Sequence, residues 1–173
     1  MRRIKPHQRE GIKFPYNAVV ENLNKTGERG GAVLAHCMGL GKSLQVIAFI
    51  DALLNCQESG VSRVLILSPV NTIHNWMNEF NLWIPYSKCD YNIFLMTSPG
   101  TKQRYHRLRR WFDGGGIMFI GYDMFRNLAQ GKHMKRKAQK EDFQKFLLDP
   151  GPDLVVCDEG HVCLLYTSPS PRD

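Results

Sequence analysis

The sequence predicts an α/β fold in which helices cover both faces of a parallel β-sheet. Short apolar runs that are typical of buried strands alternate with longer segments whose apolar residues recur at helical spacing. A glycine-rich stretch ending in Lys42-Ser43 stands between the first apolar run and the helix after it. The last apolar run ends directly in two carboxylates, Asp158-Glu159.

The predicted strands and helices follow one another along the chain. Five apolar runs are predicted as strands: residues 32–35, 64–67, 93–96, 117–120 and 154–157. Helices are predicted from apolar spacing and flanking glycines and prolines. They are the segment from the glycine loop to residue 54, a helix that starts after Pro69 and stops before Pro85, and segments around 105–112 and 143–147. Parallel strands need crossover connections of this kind, so the alternation favours a parallel sheet.

Length and composition are those of an ordinary globular domain. The chain has 173 residues, of which 43% are hydrophobic and 23% charged. No apolar run approaches the roughly 20 residues that a membrane-spanning helix needs, and residues 1–5 do not lead into a secretory signal. The five cysteines are scattered and form no C-x-x-C pair, which is typical of reduced thiols. We therefore expect a cytosolic or nuclear protein without a membrane partner.

The net charge of +7 makes a polyanion such as nucleic acid a plausible partner. Basic residues are concentrated in residues 102–110 and 132–140. An ordinary solvated basic surface explains the same charge equally well, so both interpretations stay open.

The stretch from residue 32 to residue 47, AVLAHCMGLGKSLQVI, is typical of a phosphate-binding loop between a strand and a helix. Glycines allow the backbone to approach phosphates closely, a lysine neutralises the β and γ oxygens, and a serine hydroxyl coordinates Mg²⁺. His36 stands where the common motif has its first glycine. The predicted nucleotide-binding residues are those of the loop: His36, Cys37, Met38, Gly39, Leu40, Gly41, Lys42 and Ser43. Glycines that only separate a strand from a helix would not explain why Lys42-Ser43 follows at the required spacing.

The stretch DLVVCDEGH places two carboxylates at the end of a predicted strand. At the carboxyl edge of a parallel sheet such residues face the ligand crevice. We expect Asp158 to hold Mg²⁺, together with Ser43, and Glu159 to orient and deprotonate the attacking water. A simple turn that caps a helix is the alternative. It is less favoured once the loop with Lys42 is considered together with the two carboxylates.

With both motifs in hand, residues 4–161 resemble the first ATPase lobe of the Swi/Snf-type chromatin remodellers, within the helicase-like superfamily. Met38–Gln45 is similar to the family's phosphate loop, and Asp158, Glu159, Gly160 and His161 resemble its DEGH box. The residues ahead of both motifs resemble one subgroup, so His36 is a subgroup feature. The resemblance implies a RecA-like P-loop fold, ATP and Mg²⁺ as cofactors, and catalytic roles for Lys42 and Glu159.

The same resemblance assigns further residues. It implies that Gln8 reads the adenine, although a solvated helix residue is the alternative. It implies that Asn71, Thr72, Tyr122 and Arg126 lie near a DNA backbone. The whole protein would then be a nuclear, DNA-dependent ATPase that translocates on double-stranded DNA and remodels nucleosomes.

The resemblance also sets the expected domain boundaries. Residues 1–161 would form an incomplete first lobe, and residues 162–173, rich in serine and proline, a disordered or non-native tail. The second ATPase lobe is absent from this sequence, so we expect the chain to bind ATP without completing hydrolysis. Two alternatives stay open: a truncated isoform that binds nucleotide or DNA without catalysis, and an unrelated P-loop enzyme such as a small-molecule kinase.

Overall fold

The computed structural model describes residues 4–21, 30–35, 39–85, 89–97, 100–132 and 136–160. In these ranges the α-helices are α1 (Pro6–Tyr16), α2 (Lys42–Leu54), α3 (Ile73–Trp83), α4 (Thr101–Gly114), α5 (Tyr122–Ala129) and α6 (Lys137–Leu147). The strands are β1 (Arg63–Ser68), β2 (Ile93–Leu95), β3 (Gly116–Gly121) and β4 (Leu154–Cys157). Helices flank the sheet, which gives the RecA-like α/β arrangement that the sequence predicts.

The chain divides into two compact units. The loop-helix unit comprises Met1–Gly60 and Trp76–Lys88, and the sheet unit comprises Val61–Asn75 and Cys89–Asp173. Helix α3 begins in the sheet unit and continues in the loop-helix unit.

The sheet unit contains four parallel strands in the order β2-β3-β1-β4. Ser68 pairs with Gly121 in register, and Leu67 pairs with Cys157, so three strands end at the same edge of the sheet. All residues of β3 are buried, and so are the residues of β1 after Arg63, because both strands lie between neighbours in the sheet. Strand β4 lies at the edge of the described sheet, and Val155 there is 48% exposed.

One hydrophobic cluster joins the sheet to the helices of the same unit. Its members come from β1, β3, α4, α5 and α6 and from the residue after β2, and all are buried: Leu65, Leu67, Met96, Leu108, Trp111, Met118, Ile120, Tyr122, Leu128, Ala129, Phe143, Phe146 and Leu147. Burial of this apolar surface stabilises the unit by roughly 25 cal/mol per Å². The cluster fixes α5 directly after the carboxyl end of β3.

In the loop-helix unit, α1 and α2 contact each other. Ile47, Ile50 and Leu53 of α2 are fully buried, as expected for a helix that is apolar on most sides. No helix in the described part of the chain is both long and apolar enough to cross a membrane.

The strand predicted at residues 32–35 does not form. These residues have no regular secondary structure, and Val33 is 82% exposed. A strand needs hydrogen-bonded neighbours, and the described residues of the loop-helix unit contain none with which residues 32–35 could pair. The other four predicted strands are confirmed, with boundaries within one residue.

Candidate functional site

The glycine loop leads directly into α2. Gly39 and Gly41 have φ of 83° and 76°, a left-handed conformation that glycine adopts without a steric penalty. Gly41 is the N-cap of α2, and Lys42 and Ser43 are its first two residues, both half-buried. The backbone N–H of Gln45 bonds the Gly41 carbonyl at 3.1 Å, which begins the helical ladder. The amides of the first turn thus form the positive end that favours an anion.

Two glutamine side chains hold this loop at the carbonyl of Leu40. The amide of Gln45 donates to the Leu40 oxygen at 3.1 Å, and the amide of Gln8 donates to it at 3.4 Å. The Gln8 side-chain oxygen accepts from the backbone N–H of Lys5 at 3.0 Å. A Cβ on Gly41 would lie 2.6 Å from the Gln8 amide nitrogen. Gln8 and the loop are therefore in direct contact.

Gln45 was missed by the sequence reasoning. It is fully buried, and its side-chain oxygen has no hydrogen-bond partner among the described residues. The available signal was a polar residue within an otherwise apolar, buried helix, since such residues are retained only where they bond something.

Several predicted residues lie outside the described ranges. They are His36, Cys37 and Met38 at the start of the loop, His161 at the end of the DEGH box, and the predicted tail, 162–173.

In the sheet unit, the carboxylates follow β4 at the carboxyl edge of the sheet. The backbone N–H of Asp158 donates to the Leu67 carbonyl at 2.8 Å, which extends the β1–β4 pairing by one residue. Asp158 is half-buried, and Glu159 is exposed with φ of 54°. A non-glycine residue in this left-handed region carries strain, and such strain is concentrated at functional sites. Asp158 and Glu159 thus offer oxygen ligands and an accessible base at one turn.

The residues predicted to lie near DNA occupy different environments. Tyr122 is buried, and its hydroxyl donates to the Asp158 carbonyl at 2.5 Å. The Arg126 guanidinium bonds Asp123 at 2.8 Å. The Thr72 hydroxyl donates to the Pro69 carbonyl at 2.8 Å.

Asn71 is exposed, and both it and Thr72 belong to the short 3-10 helix Val70–Thr72, which follows β1 after Pro69. Of the hydrogen bonds described above for these four residues, the one from Tyr122 reaches the carboxylate turn at Asp158. The DNA roles of all four residues remain predictions. Within the described residues, no group of three or more His, Cys, Asp or Glu side chains is arranged to hold a metal ion.

Comparison with known proteins gives consistent matches. Residues 7–166 match the SNF2-related domain family. The chain is 46% identical over 165 residues to the transcriptional regulator ATRX of Homo sapiens, covering 92% of this chain and 7% of that protein. The ATRX homologue of Drosophila melanogaster is 45% identical over 168 residues, which cover 94% of this chain and 13% of that protein.

The protein CHROMATIN REMODELING 20 of Arabidopsis thaliana is 38% identical over 163 residues, covering 92% of this chain and 11% of that protein. The chain thus spans roughly a tenth of the length of these relatives. The residues ahead of the loop indicate one subgroup of the Swi/Snf family. The matches show that this subgroup is ATRX-like. The described fold and the extent of these matches together show that the chain belongs to the SNF2-related domain family.

Proposed function

We propose that this chain binds Mg-ATP as the nucleotide-binding lobe of a DNA-dependent ATPase. The observation that carries the proposal is the run from Gly39 to Ser43, in which two left-handed glycines deliver Lys42 to the start of a 13-residue helix. Lys42 would neutralise the terminal phosphates, and the first-turn amides would bind their oxygens. Gln8, in contact with the loop, would read the adenine.

The residue types support a bound Mg²⁺. The Ser43 hydroxyl and the Asp158 carboxylate are hard oxygen ligands of the kind that Mg²⁺ prefers. When bound, the ion would neutralise charge on the phosphates. Glu159 would orient a water molecule and accept its proton on a carboxylate oxygen. The exposure of Glu159 at the turn makes this carboxylate accessible to water.

For the whole protein we propose translocation on double-stranded DNA and remodelling of nucleosomes in the nucleus. The names of the relatives, which include a transcriptional regulator and a chromatin-remodelling protein, support this proposal. Asn71, Thr72, Tyr122 and Arg126 are the proposed residues near the DNA backbone. Such contacts carry little base preference, which suits a motor that steps along any sequence.

We expect the 173-residue chain to bind ATP but to hydrolyse it at background rate, even with DNA present. In the family that it resembles, arginines of a second lobe complete the site, and comparable arginines contribute about 10³–10⁵ in rate. DNA-stimulated phosphate release by the isolated chain would contradict this expectation.

The proposal is tested by equilibrium binding of a fluorescent ATP analogue with Mg²⁺. We expect Lys42→Ala to weaken binding at least about 100-fold, because the lysine is the main countercharge for the terminal phosphates. Lys137→Ala is the matched control, since Lys137 is 91% exposed at the start of α6 and should leave binding unchanged. Equal affinities for wild type and Lys42→Ala would refute the phosphate-loop assignment.

A further inference from the structure

We propose that Tyr122 is a positioning residue for the carboxylate turn, and that its hydroxyl fixes the peptide between Asp158 and Glu159. The inference rests on the proposed function of Asp158 and Glu159, and it adds a role to Tyr122 that differs from contact with DNA. Its basis is the 2.5 Å hydrogen bond from the Tyr122 hydroxyl to the Asp158 carbonyl.

The bond connects strands that are not neighbours. Tyr122 follows β3 and Asp158 follows β4, while β1 lies between these strands in the sheet. The tyrosine side chain thus reaches past the end of β1, where Ser68 pairs with Gly121 in register. Backbone pairing cannot join β3 to β4, so this side-chain bond ties their carboxyl ends directly.

The position of the hydroxyl is itself fixed. Tyr122 is only 8% exposed and belongs to the hydrophobic cluster of the sheet unit. It is also the first residue of α5, whose Leu128 and Ala129 are buried in the same cluster. A ring held by close packing presents its hydroxyl at one place, and the hydrogen bond loses little entropy on forming.

The bond acts on the residues that carry the proposed chemistry. The backbone N–H of Asp158 is held by the Leu67 carbonyl at 2.8 Å, and its carbonyl is held by Tyr122. With both sides of Asp158 held, the plane of the next peptide is set, and Glu159 begins from that plane with φ of 54°. The tyrosine hydroxyl therefore stabilises a strained turn that orients both carboxylates.

Strand β4 is only partly covered by packing within the described part of the chain. It lies at the edge of the described sheet, Cys157 is exposed, and Val155 is 48% exposed. Because packing holds the strand only in part, the hydrogen bonds at its end have a larger share in fixing the turn.

The test variant is Tyr122→Phe, which keeps the ring and removes the hydroxyl. Its matched control is Tyr105→Phe in the same unit, where the lost hydroxyl donates to Asp142 at 2.9 Å and the ring packs against the same cluster. The first readout needs no nucleotide: amide hydrogen exchange of residues 154–160. We expect faster exchange there, by about threefold to tenfold, in Tyr122→Phe and no change in Tyr105→Phe.

The second readout is the gain in affinity for the fluorescent ATP analogue when Mg²⁺ is added. We expect Tyr122→Phe to reduce this gain by about threefold to tenfold and to leave binding without Mg²⁺ unchanged, because only the carboxylate turn is disturbed. Tyr105→Phe should retain the full gain. If Tyr122→Phe is less stable, amide hydrogen exchange of residues 154–160 is compared with that of Tyr105→Phe at low temperature.

Unchanged exchange at residues 154–160 in Tyr122→Phe, or equal changes in both variants, would overturn the inference. A wild-type chain that binds nucleotide independently of Lys42 would instead refute the proposed function. Normal Lys42-dependent binding combined with an unaffected Mg²⁺ gain in Tyr122→Phe would refute the positioning role alone.

Discussion

Replacing Asp153 with asparagine should destabilise the chain, although Asp153 lies at the opposite end of β4 from Asp158 and Glu159. Its carboxylate accepts from the backbone N–H groups of Ser62 and Arg63 at 3.0 and 2.8 Å, and from the Ser62 hydroxyl at 3.0 Å. The Arg63 guanidinium adds bonds at 2.7 and 3.4 Å. One carboxylate thus joins the start of β4 to the start of β1. Asparagine would turn an amide donor towards some of these donors.

The magnitude follows from these contacts. Hydrogen bonds to a charged group contribute about 1.5–3 kcal/mol each, but bonds that share one carboxylate do not add in full. Solvent reaches the carboxylate, whose side chain is 23% exposed, so screening reduces the sum. We expect Asp153→Asn to cost about 1.5–3 kcal/mol, and to lower the melting temperature by about 3–12 °C for a chain of this size.

The effect should depend on pH in one direction. Burial raises the pKa of Asp153, but hydrogen bonds from Arg63 and Ser62 outweigh burial and hold the pKa below its usual range. The stabilisation is therefore complete above the ordinary aspartate pKa of about 3.9, and it is lost as the pH falls through the lower pKa of the folded state. The difference between wild type and Asp153→Asn should stay constant from about pH 7 to pH 5 and shrink below about pH 4.

Urea denaturation followed by circular dichroism at several pH values measures both effects. The control is Asp113→Asn, which removes an ion pair with Arg109 at 3.5 Å between side chains that are 64% and 61% exposed. Exposed pairs of this kind contribute about 0–1 kcal/mol, so the control should be close to wild type. An Asp153→Asn variant as stable as the control at pH 7, or a difference that persists at low pH, would refute the reasoning.

Two further substitutions test the amino end of β3. Gly116→Ala should cost more than about 3 kcal/mol, because φ is 102° and the new Cβ would lie 2.2 Å from the Asn92 carbonyl oxygen. Gly60→Ala is its control, because φ there is 66° and a Cβ would have nothing within 4 Å. This variant should cost only about 1 kcal/mol. Equal losses of the two variants in urea denaturation would contradict the steric argument. Trp111→Phe should cost about 2–4 kcal/mol, since Trp111 is fully buried and its indole N–H bonds the Gly116 carbonyl at 3.0 Å. A loss below about 0.5 kcal/mol by the same assay would contradict that estimate.

The sequence predicts the strands of the sheet unit well because each one is a short apolar run with clear boundaries. Strand β4 is predicted at 154–157 and observed there, since a Pro/Gly segment precedes it and the carboxylates follow it. The start of α3 after Pro69 and its end before Pro85 are also confirmed. Residues 32–35 have the same apolar character, but hydrophobicity alone cannot supply the hydrogen-bonded neighbour that a strand requires.

The side-chain contacts between residues far apart in the sequence were harder to predict. Asp153 and the Arg63 guanidinium are separated by 90 positions, and Tyr122 and Asp158 by 36. Such pairs depend on the strand order, and an α/β pattern is compatible with several orders. The chemistry of the loop could be read from residue types, whereas the bonds from Gln45 and Tyr122 depend on where the fold places their side chains.

Strand β4 shows how the fold supports chemistry that its own packing does not fix. Both of its ends are held by side chains outside the strand, Asp153 at the start and Tyr122 at the finish. The two restraints should be separable. Loss of Asp153 removes a contribution to the stability of the whole sheet unit, because its partners lie at the start of the central strand β1. Loss of the Tyr122 hydroxyl acts on one peptide after β4, so its effect should be largest in the exchange of residues 154–160 and in Mg²⁺-dependent binding. A variant can therefore impair the carboxylate turn while the fold remains intact.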